Sequence, residues 1–135
     1  MALPAMPHPH LVVLRSVVTV VLSCLIGQAG WASAILGGQA GYRAHHQVGA
    51  WVALGACVAS AVVYLILRRS AGTVNVTLAV TLAVAASAQY AIGEAQLTSA
   101  HIFSGVLLVM LGTALTSWTY RHTLPAEAGT GKDAA

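Results

Sequence analysis

Charge is the feature that most limits what this chain can become. Between positions 11 and 121 its only charged residues are Arg15, Arg43, Arg68, Arg69, Glu94 and Arg121. They cut the chain into four uncharged stretches, 16–42, 44–67, 70–93 and 95–120. Each is long enough to cross the hydrocarbon of a bilayer, which takes about 20 residues. Soluble domains carry roughly 25% charged residues; this chain has 7%, with a mean hydropathy of +0.80. A segment in lipid has no water for its backbone groups, so a stretch of this length must be a helix. The expected fold is an all-α, four-helix transmembrane bundle.

Within that frame the spans are expected at 11–36, 45–67, 73–93 and 100–120, giving a transmembrane domain over 11–120. The tails 1–10, with Pro4, Pro7 and Pro9, and 121–135, with Pro125, Gly129 and Gly131, read as disordered. Arg15 followed by an apolar run and Trp31-Ala32-Ser33-Ala34 invites comparison with a signal peptide. The run continues to Leu36, however, beyond the usual 7–15 or so residues, and reads as a span. Gly37-Gly38-Gln39-Ala40-Gly41 breaks the first helix, and Ser70-Ala71-Gly72 makes a tight connection. Ser23, Gly27, Gly30, Ala34 and Gly37 form a small-residue stripe for close helix approach. Cys24 and Cys57, near the middle of spans one and two, read as packing residues rather than a redox pair.

Positive charge is lopsided. Arg15, Arg68, Arg69, Arg121 and Lys132 collect on one side, against Arg43 alone on the other. The positive-inside rule then puts both termini in the cytoplasm of an inner (plasma) membrane, with His45, His46, Glu94 and His101 at the outer face. The pI near 9.2 reflects these helix-end anchors and not a nucleic-acid surface.

A repeat marks the candidate site. Ala44-His45-x-x-x-Gly49 opens span two, and Ala100-His101-x-x-x-Gly105 opens span four. Gln28 and Gln89 precede them, so the bundle reads as two repeated helix hairpins. Small residues below each histidine, Gly49, Ala53 and Ala56 in one span and Gly105 and Gly112 in the other, suit a flat macrocycle between helices. Two axial imidazoles bind an iron at about 2 Å, leaving no open position and favouring electron transfer. Arg43 is placed to neutralise haem propionates, and Tyr42, Gln47 or Gln89 to donate hydrogen bonds. His46 is the alternative ligand. It lies about 100° round the helix from His45, so only one of the two can face His101, and the glycine register favours His45. The competing reading is that both histidines simply bond neighbouring helices and the glycines simply pack. Glu94 reads either as a group that orients a ligand histidine or as a solvated carboxylate paired with Arg43. His122 has no partner for a second haem at the opposite end.

The Ala-His-x-x-x-Gly pattern on the even-numbered spans, with Gln28 and Gln89 upstream, resembles half of heme A synthase. It also resembles small four-helix membrane proteins with the same hairpin repeat. Heme A synthase duplicates a four-helix bundle and holds haem through histidines on even-numbered helices. The resemblance implies His45 and His101 as axial ligands of a haem b. The chain is one bundle rather than two, and its first half lacks a glutamate-preceded histidine, which argues against haem modification. The expected function is an electron-transfer or accessory subunit of a larger respiratory-type membrane complex, with lipid, other membrane subunits and a quinone as partners. The alternative is a cofactor-free assembly subunit. A small transporter fits less well, because Glu94 and the histidines sit at a helix end and substrate sites lie near the midplane.

Overall fold

All four uncharged stretches are helical in the computed structural model, which describes residues 8–124. The helices are α1 (Pro9–Leu36), α2 (Arg43–Ile66), the single turn α3 (Arg68–Ala71), α4 (Thr73–Glu94) and α5 (Thr98–Arg121). Among the described residues there is no strand. The first helix begins at Pro9, two residues before the expected 11, because a proline in the first turn needs no N–H partner and arrives with helical φ. His8 caps it, accepting from the His10 N–H at 3.2 Å. The tails expected to be disordered fall largely on 1–7 and 125–135, outside the described residues.

The turns use the residues their backbone demands. Gly38, at φ +91°, reverses the chain after α1, and one 3-10 turn (Ala40–Tyr42) leads into α2. Gly72, at φ +78°, separates α3 from α4 in a conformation that side chains disfavour. A Cβ there would also come within 3.1 Å of the His122 ring.

The long helices form a ring in the order α1, α2, α4, α5, with α5 closing on α1. Thus α1 stands opposite α4, and α2 opposite α5. All four are long and apolar enough to cross a membrane. Val20, Val48, Trp51, Val84, Phe103 and Met110 are more than half exposed on the outside of the ring. A surface this apolar suits lipid and not water, and the chain is a multi-pass membrane protein.

Inside the ring, burial repeats between the hairpins. The buried residues Leu14, Val18, Val21 and Leu25 of α1 recur with the same spacing as Asn75, Ala79, Leu82 and Ala86 of α4. Ala53, Cys57, Ser60 and Tyr64 of α2 recur as Leu108, Gly112, Leu115 and Thr119 of α5. Steps of three and four are those of one helical face. Many of these residues are small, and the space beside them is filled from a neighbouring helix: a Cβ on Gly112 would meet Leu25 Cδ1 at 2.8 Å.

The two ends differ in chemistry. At the arginine end, Tyr64 hydroxyl and Thr119 hydroxyl share a buried 2.6 Å hydrogen bond, and Tyr64 also donates to the Leu14 carbonyl at 3.4 Å. Arg15 donates to the Tyr120 and His122 carbonyls, unpaired at the end of α5, and lies over the Tyr120 ring. The opposite end carries the histidines.

Candidate site at the histidine end

Helical geometry alone aims two histidines inward. His46 precedes Tyr64, and His101 precedes Thr119, by 18 residues each, or about five turns. Both histidines therefore return to the azimuth of the buried Tyr64–Thr119 pair, about 27 Å along the bundle. Their rings lie 6.3 Å apart, centre to centre, with planes at 86°. Both are half-buried.

His45 is turned elsewhere. It is exposed, with its ring 6.2 Å from Trp31 and 5.8 Å from Tyr42. The glycine register sets His45 against His101; the structure brings His46 to His101 instead. The reason is that the inward faces of α2 and α5 are in register 55 positions apart, as Tyr64 and Thr119 are, and the aligned His-x-x-x-Gly motifs are offset by one more. Following the buried stripe back from Tyr64 through Ser60, Cys57, Ala53 and Gly49 reaches His46, a signal present in the sequence.

His101 is held by the glutamine of its own hairpin. His101 Nδ1 lies 3.1 Å from both the Gln89 carbonyl and Gln89 Nε2, and Nε2 donates to the His101 carbonyl at 2.8 Å. Ser104 donates to Gln89 Oε1 and to the Ala100 carbonyl. Gly105 seats this glutamine, since a Cβ there would stand 3.0 Å from Gln89 Nε2. Gly93 seats the His101 ring, which a Cβ would meet at 2.8 Å. Neither Gly93 nor Ser104 stood out in the sequence, although Ser104 lies three residues from His101 on the same face.

The first hairpin repeats the arrangement with fewer bonds. Gly49 is buried, and the Gln28 amide and the Trp31 ring occupy the space where its side chain would be. Gln28 Nε2 and His46 Nδ1 are both buried without a hydrogen-bond partner.

The remaining expected residues lie around this core. Arg43 is exposed at the first position of α2, and Gln47 is exposed one turn later. Glu94 is exposed at the end of α4, beside Tyr90. Cys24 and Cys57 are free thiols, the latter buried. His122 is at the far end, bonded through Nε2 to the Ser70 carbonyl at 2.9 Å.

Chemically, the site offers two imidazoles across an apolar interior. No group of three or more His, Cys, Asp or Glu able to hold a metal occurs among the described residues. A bare ion such as zinc wants four ligands, whereas a haem iron brings four of its own and asks the protein for two. Two imidazoles bound to one metal at about 2 Å per bond hold their centroids roughly 6 Å apart. With its proton on Nδ1, His101 donates to the Gln89 carbonyl and keeps the Nε2 lone pair for a ligand bond, the usual support for a metal-binding histidine. Comparison of the chain with family models, with curated proteins and with solved structures found no match in any of the three.

Proposed function

We propose that this chain is an inner-membrane haem protein that carries electrons, with both termini cytoplasmic and one b-type haem at the outer end. Its axial ligands are His46 and His101, and its context is an accessory subunit of a larger membrane complex that draws electrons from a quinol. The observation that carries this reading is the 6.3 Å approach of two imidazoles from opposite corners of the bundle. The partnerless Gln28 Nε2, seated at Gly49 one turn from His46, supports it, because buried polar groups ordinarily find partners.

A haem bound by two histidines exchanges single electrons at a six-coordinate iron. The protein's part is to orient His101 through Gln89, to keep water from the site with the apolar ring, and to offer Arg43 to the propionates. The sorting of arginines to one end supports the topology. The test is a reduced-minus-oxidised spectrum of protein purified after haem supplementation. A low-spin, bis-histidine spectrum supports the proposal, and a colourless preparation overturns it.

A second reading, a cofactor-free assembly subunit, is favoured by a different observation. The spaces beside Gly49 and Gly112 are filled by Gln28, Trp31 and Leu25. In that case the histidines serve as interhelical polar contacts, and haem-free protein should be as stable as haem-supplemented protein.

A further inference from the structure

At the arginine end, α1 and the α2–α3 corner border an open groove of about 610 Å³. Its rim is polar and basic: His10, Arg68, Arg69 and Ser70. Its wall is apolar: Val62 and Leu65, about half exposed, and Ile66, largely exposed. Val62 to Ile66 is about one helical turn, and the chain then turns at Leu67 into the arginines of α3, so the surface passes from apolar to cationic within a few residues. The rim is tied in place from two sides. His10 Nδ1 and the Ser70 hydroxyl share a 2.8 Å hydrogen bond, and His122 holds the Ser70 carbonyl. Arg68 and Arg69 are exposed, and Glu94, the one acidic side chain among the described residues, is at the opposite end of the bundle.

We propose that this groove is a binding site for a phospholipid with an anionic headgroup. The phosphate sits at Arg68, Arg69 and His10, and an acyl chain lies along Val62, Leu65 and Ile66. Charge complementarity selects the headgroup, and the continuous apolar wall selects a lipid over a free phosphate, which would leave that wall uncovered. Basic pockets on this side of membrane bundles suit such headgroups because the arginines meet anionic charge at the depth where the phosphates lie. The proposal is independent of the haem site.

The test is retention of dioleoylphosphatidylglycerol or dioleoylphosphatidylcholine by the full chain in detergent, measured by native mass spectrometry. The protein should hold phosphatidylglycerol in preference to phosphatidylcholine. Arg68→Gln with Arg69→Gln should weaken that binding about twenty-five-fold, roughly fivefold per surface arginine. Val62→Trp should weaken it with every charge in place, and Arg121→Gln, at the same end but outside the groove, should not. Equal retention of the two lipids overturns the proposal. So does an Arg121→Gln effect as large as that of the double variant, which would mean the charge of the whole end. Full retention by Val62→Trp together with displacement by inorganic phosphate would mean an anion site without a lipid, and overturns it too.

Discussion

The His46 and His101 rings meet at 6.3 Å although their helices occupy opposite corners of the bundle. Helices that far apart approach only through long side chains reaching the axis, and at the arginine end Tyr64 does the same toward Thr119. Both pairs are the ends of one stripe on each helix, with residues such as Ala53, Cys57 and Gly112 between them. Polar side chains thus stand at both ends of the interior, and the stretch between them is mostly apolar, with Ser60 buried in it.

Gly93→Ala should displace the His101 ring. The new Cβ would lie 2.8 Å from Cε1 of a ring whose Nδ1 is bonded to Gln89, so the ring cannot yield without losing that bond. Overpacking of this kind costs about 1–3 kcal/mol. Gly55→Ala, with nothing within 4 Å of the new carbon, should be neutral or slightly stabilising. Thermal unfolding of the two variants in detergent measures the difference.

The two glutamines should respond in opposite directions to replacement by leucine. Gln89→Leu removes the donor to the His101 carbonyl and one acceptor for Ser104, and should cost about 0.5–1.5 kcal/mol, since Ser104 keeps its bond to the Ala100 carbonyl. In the absence of haem, Gln28→Leu removes a buried amide nitrogen that has no partner and should be neutral or stabilising. Unfolding midpoints of the two variants, compared in the same detergent, read this out.

Tyr64→Phe leaves the buried Thr119 hydroxyl without its 2.6 Å partner. Interhelical hydrogen bonds in membrane proteins average about 0.6 kcal/mol, with a maximum near 1.7. The loss should therefore be modest. A double-mutant cycle with Thr119→Val isolates it, and a coupling well above that range would mean that the pair organises more than its own contact.

Most of the fold was legible in the sequence because lipid leaves few choices. The spacing of Arg15, Arg43, Arg68 and Glu94 fixed the number of helices, and Gly38 and Gly72 fell where the chain turns. The hairpin repeat was legible through Gln28 and Gln89, each of which does sit on its own hairpin's glycine. Which histidine faces His101 was not, because the His-x-x-x-Gly motif aligns a glutamine seat, whereas the direction of a histidine follows the whole buried stripe. On α2 those two criteria differ by one residue, which turns a side chain through about 100°. The empty-looking faces below the histidines were also misleading. Gly49 and Gly112 are occupied by Gln28, Trp31 and Leu25 from α1, and a single helix's sequence does not say what its neighbour inserts.

The most direct test is the haem spectrum of three single variants, His45→Ala, His46→Ala and His101→Ala, purified after haem supplementation. His45→Ala should keep a low-spin bis-histidine spectrum, and His46→Ala and His101→Ala should each lose it. Loss of the spectrum in His45→Ala with retention in His46→Ala would contradict ligation by His46.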